Sequence, residues 1–299
     1  MHEWKRKHHV AFVVLLLFIF IPSTRYLIRA FEVDEFEAGL LIVERDGLAA
    51  ALEYWREASR RGDLSGFVGE VHGALQNGPL NEEEFKEAFR LAEYASQEAE
   101  GITKARALYL VGLLSQRLNN CRSVAAAFGG ALKEYGQAGS EVGVFKSRVQ
   151  LVEAYLACDR LRDASGLYRV TVDEMPQGTD SSRLFTVGSM VAWRTGERQK
   201  AIGLADKALE TASPDLALML WASLGRMHAL VGNFDLAKDF TDRAFEINQS
   251  VYVTINYIAI SLCQGGDGEP WLSEVKAEIE KNQDNYLADL LKEIKDQCQ

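Results

Sequence analysis

Catalysis by side chains needs paired groups, such as a nucleophile beside a base. It carries 5 His and 4 Cys in 299 residues. His2, His8 and His9 lie in a basic N-terminal stretch, His72 is isolated, and His228 sits in an apolar segment where a packing role is the ordinary reading. Cys121, Cys158, Cys263 and Cys298 form no CxxC pair and have no metal-ligand spacing. The sequence contains no HExxH, no GxSxG and no GxxxxGK followed by Ser or Thr. Glu82, Glu83 and Glu84 read as a helix start, where carboxylates complement the helix dipole. Asn248-Gln249-Ser250 fits a glycosylation sequon but falls at an expected helix end. The expectation is therefore a protein with no catalytic residues, no metal and no cofactor. A net charge of −10 further excludes a general nucleic-acid binder, which needs a basic face to displace counterions.

With no reactive pair to position, the elements themselves must carry the function. Hydrophobic residues at 47% and charged residues at 25% are ordinary globular values, and 5 Pro in the whole chain suits long helices. The charge is divided. Residues 1–31 hold Lys5, Arg6, Lys7, Arg25 and Arg29 against Glu3, a net of +4, which leaves −14 for the rest. Residues 1–9 read as a basic cytoplasmic flank and 10–29 as a transmembrane segment. Val10–Ile21 is an unbroken apolar run, and counting on to Ile28 gives a length of roughly 28 Å as a helix. Ile28-Arg29-Ala30 is a poor cleavage site, so an uncleaved signal anchor is the first reading and a cleaved, secreted product the second. The basic flank puts the N-terminus inside and residues 32–299 in the periplasm or another extracytoplasmic space.

From residue 32 to 283 the sequence repeats at intervals of 34 to 40 residues, with units starting at 32, 69, 105, 145, 182, 218 and 252. The clearest unit, Leu218–Val251, places Trp221, Leu224, Gly225, Gly232, Ala237 and Ala244 at positions 4, 7, 8, 15, 20 and 27. Phe185, Gly196, Ala201 and Ala208 return at positions 4, 15, 20 and 27 of the preceding unit. This register resembles the tetratricopeptide repeat (TPR) family. Small residues at 8, 20 and 27 let the two helices of a unit approach closely. The second unit is weak, because three glycines interrupt its first helix, Ser65–Leu75, and the last has Trp271 where a small residue belongs. Asp284–Gln297 reads as a closing amphipathic helix within a 284–299 cap. The expected fold is all-α: a right-handed superhelix of about seven helix pairs with a capping helix, since each pair must bury its apolar face on the next.

In TPR-like arrays positions 2, 5, 9 and 12 of the first helix line the concave face. The resemblance thus implies an inner row of Arg106, Tyr109, Leu113 and Gln116, then Lys146, Val149, Glu153 and Leu156. It continues with Arg183, Thr186, Met190 and Trp193, then Met219, Ala222, Arg226 and Ala229, and ends on Asn256. The expected partner-binding residues are Arg106, Tyr109, Gln116, Lys146, Arg183, Met190, Trp193, Arg226 and Asn256. Basic residues outnumber acidic ones in this row, which points to an acidic or carboxylate-terminated peptide segment held by charge-assisted hydrogen bonds. The plain alternative is scattered, solvated charge. The repeat register also brings Cys121 near Cys158 in successive turns and lets Cys263 and Cys298 tie the closing helix down; four unpaired thiols are the alternative. The function expected is a membrane-anchored adaptor in a cell-envelope assembly that holds a protein partner. A cytoplasm-facing docking receptor for soluble chaperones and a non-catalytic subunit of an enzyme complex are the other readings.

Overall fold

The computed structural model describes residues 34–118, 120–269, 271–282 and 285–298. The anchor expected at 10–29 lies outside them. Within them there are fifteen α-helices and no strand, and no helix is long and apolar enough to cross a membrane. The chain divides into two compact units, 1–140 and 141–299.

The first unit holds three antiparallel pairs: α1 (Glu35–Asp46) with α2 (Leu48–Arg60), α3 (Leu64–Gln76) with α4 (Glu82–Glu98), and α5 (Gly101–Gln116) with α6 (Cys121–Gln137). Side-chain caps open four of these helices, α1, α3, α4 and α6. Asp34 Oδ1 accepts from the Glu37 N–H at 2.9 Å, and Asn81 and Glu84 form a reciprocal capping box. The expected weakness of the second unit is not observed. Its first helix is complete, because the three glycines face the preceding pair. A Cβ at Gly69 would stand 2.2 Å from the Trp55 ring, one at Gly73 2.7 Å from Leu52, and one at Gly66 2.6 Å from Ala58. Trp55 is fully buried between Gly69 and Gly39, with its Nε1 donating to the Glu35 carbonyl at 3.1 Å. The glycines are the price of seating an indole between three helices.

The second unit holds α7 (Glu141–Ala157) with α8 (Leu161–Asp173), α9 (Ser182–Arg194) with α10 (Arg198–Leu209), and α11 (Pro214–Leu230) with α12 (Phe234–Ile247). It ends in α13 (Val251–Cys263) with α14 (Trp271–Asn282), and a single last helix, α15 (Asn285–Cys298). The turns inside pairs share one device. Gly196 and Gly232 sit at φ 82° and 81°, and the next residues, Glu197 and Asn233, donate back to Ala192 and His228 carbonyls at 2.8 and 2.9 Å. Asp159 fills the same place in the α7–α8 turn at φ 56°, a conformation Asp tolerates better than most residues.

In the second unit each core cluster belongs to more than one pair. Val152, Tyr168 and Leu184 join α7, α8 and α9; Phe185, Ala205 and Leu224 join α9, α10 and α11; Ala237, Ile258, Val275 and Ile294 join α12 to α15. No pair buries its apolar face alone, which is the physical content of a repeat array. The small-residue register holds: Ala201, Ala208, Ala237 and Ala244 are fully buried, and a Cβ on Gly225 would meet Thr241 Oγ1 at 2.5 Å. Trp271, too large for its repeat position, stacks on Tyr257 with ring centroids 5.2 Å apart. His228 is buried and stacks on Phe240 at 5.5 Å, the packing role expected of it; burial pushes its pKa down, with Asp206 opposing.

Candidate functional site

The first helices of the second unit, α7, α9, α11 and α13, carry most of the expected inner row. They do not present it evenly. Lys146 and Arg183 are exposed, and Glu153, Thr186, Trp193, Ala222 and Arg226 are partly so. Met190 and Met219 are 46% and 64% exposed, unusual for methionine and not required by any core cluster. Val149, Leu156 and Ala229 are buried. Asn256 is fully buried: its Nδ2 donates to the Ala222 carbonyl at 2.7 Å, and its Oδ1 has no partner among the described residues. It joins α13 to α11 and offers nothing to a partner in this structure.

Three of the four basic members of the row, Arg106, Arg183 and Arg226, are engaged within the chain. Arg183 Nη2 donates to Glu153 at 2.9 Å, an exposed pair of small energetic weight, about 0–1 kcal/mol. In the first unit Arg106 is only 12% exposed. It pairs with Asp34 at 2.8 Å and with Glu37, and its guanidinium lies 4.4 Å over the Phe36 ring. Arg106 therefore ties α5 to α1. Tyr109 makes an edge contact with Phe128 at 5.5 Å, and Gln116 is half-buried at the end of α5. Tyr135 stands near Arg106 and Tyr109, with its pKa pushed up to about 12 by burial.

Three of the expected partner-binding residues, Met190, Trp193 and Arg226, do converge. Thr186, Met190, Trp193, Met219 and Arg226 line one cleft of about 360 Å³ with Leu220 and Met227. Its wall is mainly apolar, and its size falls at the small end of ligand sites. Trp193 is gripped from behind by Arg198, whose guanidinium lies 3.8 Å over the ring and whose Nη1 donates to the Trp193 carbonyl at 3.1 Å. Methionines suit such a wall because the unbranched, polarizable side chain adapts to different shapes.

One wall of the cleft comes from a helix expected only to close the array. Asp289, Leu290 and Glu293 of α15 face Met190 and Met219 across it. α15 packs on α13 and α14 and also touches α11. Leu287 and Ile294 are fully buried, and Leu290 and Leu291 nearly so. Each such side chain contributes about 1.5–3 kcal/mol of burial, so the helix is firmly seated. At its end Cys298 is disulfide-bonded to Cys263, the last residue of α13. No cysteine of the chain is a free thiol. The amphipathic pattern of 287–294 was legible as a helix. Its path onto the first-helix row was not, because nothing local to those residues sets it.

A Rap protein complexed with competence and sporulation factor superposes with a TM-score of 0.67 at 14% identity, over 99% of this chain and 87% of its own. The Rap conjugation gene regulator of plasmid pLS20, in complex with the Phr* peptide, gives 0.59 at 16% identity over 75% of this chain and 66% of its own. A tetratricopeptide repeat protein from Parabacteroides merdae gives 0.56 at 13% identity, over 88% and 97%. The fold is that of the TPR proteins. These likenesses show the fold and do not extend to a shared ligand. No family model matches the chain, and no curated protein sequence matches it significantly.

Proposed function

We propose that the chain is a TPR-like scaffold whose second unit binds a segment of a protein partner in the cleft between α9, α11 and α15. The observation that carries this reading is the apolar cleft itself. Met190 and Met219 are held open to solvent around it, with Trp193 half-buried beside them. The Phr* peptide bound to one protein of this fold is in keeping with a peptide ligand. The apolar grip is the larger part of recognition. An acidic or carboxylate-terminated segment would gain from Lys146, but would have to displace Glu153 to reach Arg183 and a contact within the chain to reach Arg226. The array works as a protein-interaction adaptor with no chemistry of its own. Membrane anchoring through residues 10–29, with the array outside the cytoplasm in an envelope assembly, completes the proposal. The Cys263–Cys298 disulfide supports it, since such bonds persist in oxidising compartments.

The charge contribution is tested by the triple variant Arg106→Glu, Arg183→Glu, Arg226→Glu against single Arg183→Glu and Arg226→Glu variants. Arg226→Glu should weaken capture of an acidic segment several-fold, with circular dichroism confirming that the helices persist. The triple variant should also melt earlier, because Arg106 is structural. Unchanged binding by all three removes the acidic preference and leaves the apolar reading standing. A reporter fused after Gln299 tests topology: activity only on the cytoplasmic side would overturn the extracytoplasmic placement.

A further inference from the structure

The position of α15 exceeds what capping requires. A terminal helix of a repeat array needs only to cover the apolar face of the last pair. α15 does this with Leu287, Leu291 and Ile294 against α13 and α14, then reaches further. Its Asp289, Leu290 and Glu293 wall the cleft beside α9 and α11. Near its end Gln297 Oε1 accepts from Arg198 Nη2 at 3.5 Å, across 99 residues of sequence, and Arg198 is the residue that braces Trp193. A covalent bond then fixes the last turn: Cys298 is joined to Cys263 across a sequence separation of 35.

We infer that α15 is a resident occupant of the surface on α11, α13 and α14 beside the cleft, locked there by the Cys263–Cys298 disulfide, and that a dithiol reductant unlocks it and joins that surface to the cleft as one longer groove for a partner's amphipathic helix. This deepens the peptide-binding reading and rests on it, adding the kind of segment recognised and the control over it. The partner class follows from what already sits in the seat. α15 presents Leu287, Leu290, Leu291 and Ile294 at i, i+3, i+4 and i+7, so a partner helix with that apolar spacing fits the same surface. The disulfide makes exchange conditional. While it holds, α15 competes from a fixed position. On reduction the S–S bond breaks, each sulfur takes one electron and one proton, and the external dithiol is oxidised to its own disulfide. α15 is then held only by non-covalent packing at one end of a short connection.

The experiment uses the full chain in its oxidised form, after dithiothreitol treatment, and as Cys298→Ser, which leaves the other cysteines untouched. Hydrogen exchange is followed at α15, with α9 amides as the internal reference. A fluorescent peptide of sequence 285–298, with Ser at its cysteine position, is titrated into each form by anisotropy. The expected result is at least tenfold faster exchange across α15 in the reduced and Cys298→Ser forms, with α9 unchanged. The peptide should bind those two forms at least tenfold more tightly than the oxidised one. Equal protection of α15 in all three forms makes it a permanent cap and overturns the lock; a partner segment captured by the oxidised cleft would then still uphold the peptide-binding reading. Faster exchange with no peptide binding by any form overturns the proposal through that reading. Leu287→Asp, Ile294→Asp supplies a second route: it should open α15 without touching the disulfide, with far-ultraviolet circular dichroism checking that the remaining helices persist.

Discussion

Gly69→Ala should destabilise the first unit although alanine is the better helix former. The two effects have opposite signs and the structure decides between them. In an unobstructed helix, replacing Gly by Ala gains about 0.8–1 kcal/mol. At Gly69 the new methyl would lie 2.2 Å from Trp55 Cδ1 and 2.4 Å from Nε1, well inside van der Waals contact. Trp55 cannot move away, because it is fully buried and a Cβ at Gly39 on its other side would be even closer, at 2.0 Å. Relief requires α3 to shift from α2, at an overpacking cost of about 1–3 kcal/mol or more. The expected net is a loss of about 1–2 kcal/mol. Gly203→Ala is the control: it lies inside α10 with nothing within 4 Å of its Cβ, so the propensity gain should appear unopposed. Urea unfolding followed by circular dichroism, with each variant's midpoint compared with that of the parent chain, gives both signs. A Gly69→Ala chain as stable as Gly203→Ala would refute the seating of Trp55 between those glycines.

The buried His228 adds a pH dependence. Its folded pKa is depressed by burial, so its contribution to stability is full above the unfolded value near 6.5 and is lost as pH falls through it toward the folded pKa. The slope it adds should not exceed about 1.4 kcal/mol per pH unit, and His228→Phe, which keeps the stack on Phe240, should remove it. A slope unchanged in that variant would place its origin elsewhere. Cys298→Ser should also lower overall stability in the oxidised protein, by up to about 4 kcal/mol on the chain-entropy account of a loop this long; identical urea midpoints for the two forms would contradict it.

The fold was readable from the sequence because close helix approach admits few residue types. Gly225, Ala237 and Ala244 recur where a larger side chain would collide, and a collision constraint leaves a mark in sequence. Gly66, Gly69 and Gly73 obey the same constraint, yet read as a broken helix when glycine is weighed only by its propensity. What they touch, Trp55, belongs to another helix. The site was readable only in part. Met190, Trp193 and Arg226 do meet at one cleft, since the repeat register sets which face of a helix looks inward. Exposure is a separate matter, set by how closely neighbouring pairs approach, and it buries Val149, Leu156 and Asn256 at positions the register places on the same face. The charge of the row misled for a related reason. The carboxylates that engage Arg106 come from α1, about seventy residues upstream, and no local pattern links them. The reach of α15 into the cleft is likewise tertiary.

The central claim is that the cleft walled by α9, α11 and α15 is where a partner segment binds. Site-specific photocrosslinking from Met219 tests it most directly. The crosslinked segment should be identified by mass spectrometry, and its binding measured as a synthetic peptide against the native chain and against Met190→Asp, Trp193→Ala, with circular dichroism confirming the fold. One defined segment with an apolar stripe is expected, and its affinity should fall at least tenfold in the double variant. Crosslinks obtained equally from the exposed outer position Leu236, or an affinity that the double variant leaves unchanged, would contradict it.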